Sequence, residues 1–114
     1  MACAAALATL KIFRDEDIFA RVRELTPGFL EQIGAFKDLP YVTDTRGFGL
    51  LGAIDLAPEG APGQRGFKVL CKAFEAGLVL RAAGDTMVLA PPFVATADEI
   101  SRMVEIMRAV ITAN

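Results

Sequence analysis

Apolar residues recur along this chain with two different periods, and the switches between them mark out its elements. Residues 2–13 are dominated by alanine and leucine, both strong helix formers, and predict a helix. Beyond it the apolar positions are Ile18, Val22, Leu25, Phe29, Ile33 and Phe36. Steps of three and four residues are the helical period. Asp15 is placed to cap this second helix. Pro27 falls inside it, and an interior proline costs about 3 kcal/mol. A kink is therefore expected, or two helices in line with Thr26 as the second cap and Pro27 as the first helical residue.

The period then shortens. "YVTDTRGFGLLGAIDLA" reads as two strands with a break near Gly47. The second, Phe48 to Leu56, carries no charge before Asp55 and is expected at the centre of a sheet. "PEGAPGQRG" is a loop by its prolines and glycines. A helix is predicted over 64–76, with Phe67, Leu70, Cys71 and Phe74 on its apolar face and Gly77 in the C′ position. Leu78–Arg81 and Met87–Ala90 form a predicted hairpin with Gly84-Asp85 in the turn, and Pro91-Pro92 stops its second strand. Thr96 with Glu99 three residues later is a capping box. It opens a last helix with Ile100, Met103, Val104, Met107, Val110 and Ile111 on one side. The order α-α-β-β-α-β-β-α predicts a single α+β domain over 1–114: a small, mostly antiparallel sheet of about four strands with helices packed on one face.

Composition adds a complication. Apolar residues make up 54% of the 114 and the mean hydropathy is +0.42. A folded chain of this size buries only about 65% of its unfolded surface. Some apolar surface is therefore expected to face a partner, another subunit or further sequence. The net charge of -2 argues against nucleic acid. "MACAAALATL" lacks the positive start of a signal peptide, is too short to cross a bilayer, and resembles the inside of a longer helix. Cys3 and Cys71 are expected as reduced, buried thiols of a cytoplasmic protein. The absence of histidine removes the usual general base, the usual zinc ligand and every Ser/His or Cys/His nucleophile pair.

Candidate chemistry is sparse. "GFGLLG" at 47–52 matches G-x-G-x-x-G, but that motif needs a helix opening at its glycines. Here they lie in a strand pattern, with Pro58 six residues on. They are better explained by a bulge or by close approach of another backbone. Asp15, Glu16 and Asp17 complement a helix dipole more readily than they bind metal. A Schiff-base lysine needs desolvation; Lys68 and Lys72 share a solvated helix face, and Lys11 and Lys37 end helices. Arg81 remains. It is either paired with a nearby acid such as Asp85, or presents its rigid guanidinium fork to a ligand carboxylate beside the small residues Ala82, Ala83 and Gly84.

Taken together, "CAAALATLKIF", "TRGFGLLGAIDLAP" and "GLVLRAAGDTMVLAPPFVATADEISRMVEIMRAVI" resemble the C-terminal part of class III aminotransferases, most of all the ω-amino acid–pyruvate (β-alanine–pyruvate) transaminases. The likeness covers nearly the whole chain, and R-G-x-G-L followed by V-x-R-x-x-G-D-x-x-x-x-x-P-P is specific as a set. It implies the small domain of a fold-type I enzyme that uses pyridoxal phosphate, works as a dimer and moves an amino group to a keto acid such as pyruvate. It implies that Arg81 binds the substrate carboxylate. The family's Schiff-base lysine, the aspartate on the pyridine nitrogen and most phosphate contacts would lie before Met1. The chain alone is then expected to bind no cofactor, to be inactive, and to self-associate through exposed apolar helix faces, with Asp85 and Thr86 setting the turn that carries Arg81. A different expectation is a free-standing small-molecule-binding or oligomerisation module of ACT-like type.

Overall fold

The computed structural model describes residues 1–113. Helices α1 (Ala2–Asp15) and α2 (Ile18–Gly34) lead into a 3-10 turn, Ala35–Asp38. A hairpin follows, β1 (Val42–Phe48) and β2 (Leu51–Leu56), then α3 (Gln64–Glu75), a second hairpin, β3 (Arg81–Ala83) and β4 (Thr86–Leu89), and α4 (Ala97–Thr112). The sheet order is β1-β2-β4-β3 and every pairing is antiparallel. This is the expected α+β architecture, with β2 and β4 at the centre.

The alternation of β2 settles which face is covered. Gly52, Ile54 and Leu56 are buried, whereas Leu51 is exposed and Ala53 and Asp55 are half-buried. Ile54 pairs with Met87 on β4, and neither is accessible to solvent. Onto this layer pack Phe29 and Ile33 of α2, Phe36 of the 3-10 turn, Val69 and Ala73 of α3, and Met107 and Ile111 of α4. Burying that many large side chains, at about 1.5–3 kcal/mol each, explains why α2 runs unbroken through Pro27. Two separate helices would displace Phe29 and Ile33 from the sheet. The Thr26 hydroxyl, instead of capping a second helix, donates to the Val22 carbonyl at 2.7 Å.

Other local expectations shift by a residue or two. Asp15 ends α1, ion-paired with Lys11 and Arg14, and Asp17 takes the N-cap position of α2 in a left-handed conformation (φ 46°) without a side-chain cap bond. The break between β1 and β2 falls at Gly49 and Leu50 rather than Gly47. Thr96 and Glu99 form the predicted capping box: the Glu99 amide donates to the Thr96 hydroxyl at 3.1 Å, and the Thr96 amide to the Glu99 carboxylate at 2.8 Å.

α3 overturns its predicted face. Its buried residues are Arg65, Gly66, Val69 and Ala73, while Phe67, Cys71 and Phe74 point outward. Small residues on the inner side let the helix lie close against the β3–β4 turn, and that contact decides its rotation over hydrophobicity. Cys71 is therefore exposed rather than buried. So is Cys3, because α1 has no buried residue at all. α1 meets the body near its C-terminal end, where the Phe13 ring lies 5.3 Å from Phe19 and 6.2 Å from Phe93 between centroids. The resulting radius of gyration, 15.7 Å, exceeds the roughly 13 Å of a compact domain this long.

Candidate functional site

All four helices leave one face of the sheet uncovered. Register places its side chains in transverse rows. One row runs Arg46, Ala53, Val88, Arg81 from edge to edge; the next runs Asp44, Asp55, Thr86, Ala83. The two arginines thus stand on opposite edge strands, three strand spacings apart, or about 14 Å.

Arg46 is already engaged. One of its guanidinium nitrogens donates to Asp55 at 2.6 Å and to Asp44 at 3.2 Å, and the other donates to Asp55 at 3.3 Å. The Thr86 hydroxyl donates to the same Asp55 carboxylate at 2.6 Å. Asp55 therefore ties β1 to β4 across β2. These bonds, Arg46 first and Thr86 second, hold the Asp55 carboxyl below its ordinary value, and the Arg46 guanidinium is shifted up by Asp55. A carboxyl depressed on folding contributes stability that is complete above its unfolded value, about 4, and is lost as pH falls through the folded value. Asp55→Asn is expected to lower the urea midpoint at pH 7 and to narrow the difference between pH 7 and pH 3. A pH difference unchanged by the substitution would count against this role.

Asp85 is occupied as well, though not by Arg81. One carboxylate oxygen accepts from the Gly63 amide at 3.1 Å and the other from the Gly66 amide at 2.9 Å. A residue of the β3–β4 turn thereby caps α3, whose own N-cap residue, Gly63, has no side chain to do so. The sequence named Asp85 and Thr86 as turn residues without showing that one caps a helix and the other anchors a strand. Their partners are about 20 and 31 residues away, beyond any local spacing rule.

Arg81 opens β3 rather than ending a strand, because the chain from Leu78 to Leu80 lies outside the ladder. Leu78 fixes the approach: its side chain is buried and its amide donates to the Ala73 carbonyl at 2.8 Å. Arg81 pairs with Val88 in the ladder, is exposed, and makes no hydrogen bond or ion pair among the described residues. The alternative of an Arg81–Asp85 pair is therefore not what the structure contains. At the end of the sheet, where the β1–β2 turn meets the segment after β4 and α2, Val22, Phe48, Leu50, Leu51 and Pro91-Pro92 border an apolar groove of about 600 Å³.

Every lysine is exposed: Lys11 faces Asp15, Lys68 lies 3.4 Å from Glu59, and Lys37 sits in the 3-10 turn. Among the described residues no cluster of His, Cys, Asp or Glu is arranged to hold a metal, and no helix is long and apolar enough to cross a membrane.

The sequence profile of the family described as aminotransferase class-III matches residues 1–111. The chain belongs to the class-III aminotransferases. It is 40% identical over 112 residues to an omega-aminotransferase of Caulobacter vibrioides, covering 97% of this chain and 26% of that protein. With the beta-alanine–pyruvate aminotransferase of Pseudomonas aeruginosa it shares 36% identity over 104 residues, 90% of this chain and 23% of the other. A solved transaminase structure with L-alanine superposes with a TM-score of 0.94 at 27% identity, covering 98% of this chain and 28% of that one. The adenosylmethionine-8-amino-7-oxononanoate aminotransferase of Methanocaldococcus jannaschii superposes at 0.90 with 30% identity, covering 97% and 27%. The chain thus spans about a quarter of the length of the class-III relatives it matches. Full-length members of the family use pyridoxal phosphate. The residues of this chain do not fit that group by themselves, since a lysine that forms a Schiff base at neutral pH must be desolvated and all four here face solvent.

Proposed function

We propose that this chain is the C-terminal part of a transaminase that moves an amino group from an ω-amino acid or amine to pyruvate, and that Arg81 holds the substrate carboxylate. The observation that carries the reading is the state of the charges on the uncovered face. Asp44, Arg46 and Asp55 satisfy one another, Asp85 is taken by two amides, and Arg81 is left with an open fork beside small residues. A guanidinium on a sheet edge can grip a carboxylate through two parallel bonds and so fix which end of an ω-amino acid faces the reacting centre. The cofactor, bound by sequence outside this chain, supplies the electron sink.

Alone, the chain is expected to form no alanine from β-alanine and pyruvate with added pyridoxal phosphate. The exposed apolar residues of α1 and α3, Leu7, Leu10, Phe67 and Phe74, favour its self-association. The decisive experiment places the chain in the corresponding stretch of the Caulobacter omega-aminotransferase and follows each half-reaction separately, so that pyruvate's own carboxylate does not enter. Arg81→Ala is expected to lower kcat/KM for β-alanine by roughly 10- to 150-fold, the equivalent of about 1.5–3 kcal/mol for a charged hydrogen-bonded pair. The half-reaction of 1-phenylethylamine, which has no carboxylate, should change little. Equal losses for both donors would remove Arg81 from substrate binding.

A further inference from the structure

We propose that Asp85 is the positioning residue for Arg81: by tying the β3–β4 turn to α3 it fixes the guanidinium where a donor's carboxylate meets it, and so sets the preference for carboxylate-bearing donors over neutral amines. The inference rests on the carboxylate role proposed above for Arg81.

Taken alone, β3 is a poor mount for such a group. It has three residues, lies at the edge of the sheet and is bonded to β4 only. Arg81 is the first of the three, next to a segment outside the ladder. A grip through two parallel hydrogen bonds depends on the angle of the fork as well as its place, so a strand that shifts sideways would lose it. What steadies β3 is α3. After Gly77 the chain turns back and runs along α3, against which β3 packs, and it is tied to both ends of the helix. At the C-terminal end the Leu78 amide donates to the Ala73 carbonyl at 2.8 Å, and the Leu78 side chain is buried. At the N-terminal end the Gly63 and Gly66 amides donate to the Asp85 carboxylate at 3.1 and 2.9 Å. Arg81 stands between these two ties, three residues from one and four from the other. Asp85 also joins the turn to the sheet, since its backbone carbonyl accepts from the Leu56 amide at 2.9 Å.

The sign of the effect separates this role from that of a counter-ion. If Asp85 acted on Arg81 through its charge, it would compete with an anionic substrate, and neutralising it would strengthen the grip on a carboxylate. A mount predicts the reverse. The test uses the Caulobacter omega-aminotransferase carrying this chain in place of its matching stretch, with each half-reaction followed separately. Asp85→Asn keeps one acceptor for the two amides and loses the other. It is expected to lower kcat/KM for β-alanine roughly tenfold and to change that for 1-phenylethylamine by less than about twofold, given that a misplacement of about 1 Å can cost on the order of 100-fold. Asp85→Ala, which loses both acceptors, should lower β-alanine further. In an Arg81→Ala background Asp85→Asn should have no additional effect on β-alanine, because the group it positions is gone. Thermal unfolding of each loaded enzyme follows the fold independently of activity. Three results overturn the proposal: β-alanine handled as well or better with Asp85→Asn, both donors losing alike through a damaged fold or otherwise, or the same loss in the Arg81→Ala background. Arg81→Ala on its own tells the two claims apart. If it affects both donors equally, the carboxylate role falls and the mount with it. If it is selective for β-alanine while Asp85→Asn is not, the carboxylate role stands and only the mount is removed.

Discussion

Gly66→Ala is expected to be the most damaging single-methyl change in the chain. A Cβ at this position, in the first turn of α3, collides with the carbonyl oxygen of Gly84 and reaches 3.0 Å from the Asp85 Cα. Both obstacles are backbone, so no side chain can swing away. The helix must lift from the β3–β4 turn, and in lifting it loses the two amide bonds that Asp85 accepts from Gly63 and Gly66. Overpacking alone costs about 1–3 kcal/mol, and hydrogen bonds to a charged group contribute about 1.5–3 kcal/mol. A loss of roughly 3 kcal/mol or more in urea unfolding is the expected result. Asp85→Ala alone, the loss of a helix cap, should cost about 0.5–2 kcal/mol. Because both changes break the same contact, the double variant should fall well short of the sum. Strict additivity would show that α3 and the turn do not depend on each other.

Gly52→Val should come next. Gly52 sits on the covered face of β2, and a Cβ there would stand 2.7 Å from two carbons of Ile33 and 3.2 Å from the Phe29 ring, both fully buried. The absence of a side chain lets α2 lie directly on the central strand. Valine adds volume where none exists, at a cost of about 3 kcal/mol. Since the obstruction is a side chain, Ile33→Ala in the same chain should recover part of the loss, in contrast to Gly66. A midpoint unmoved by Gly52→Val would mean that the helix and strand are not in this contact in solution.

These two glycines show how far the sequence could be read. The elements and the sheet were legible because apolar residues repeat at the helical period through Ile33 and alternate through Ile54, and because Thr96 and Glu99 announce a helix start by local spacing alone. "GFGLLG" was legible as packing, since no helix could open there, and the structure places Gly52 under Ile33 accordingly. What escaped depended on contacts far apart in the chain. The rotation of α3 is set by Gly66 against Gly84, so its more hydrophobic side, Phe67 and Phe74, turns away from the core that hydrophobicity would assign it. Pro27 reads as a break only until Phe29 and Ile33 are seen held by the sheet. Asp85 looked like the partner of Arg81, four residues before it, and caps a helix nineteen residues earlier instead. Arg81 itself stood out in the sequence as the residue at the edge of an apolar run, and the family resemblance supplied the reason to look at it; its place at the start of β3 was visible only in the ladder.

The three clustered rings of Phe13, Phe19 and Phe93, packed edge to face and tilted, give α1 the mechanics of a cantilever. Its fourteen residues are near the limit at which a solitary helix in water holds together, and none of them is buried; its ring contacts to the described residues lie at Phe13, the clamped end. Whatever length of α1 persists as helix is therefore governed by grip at Phe13 more than by the alanines that make it look so helical on paper.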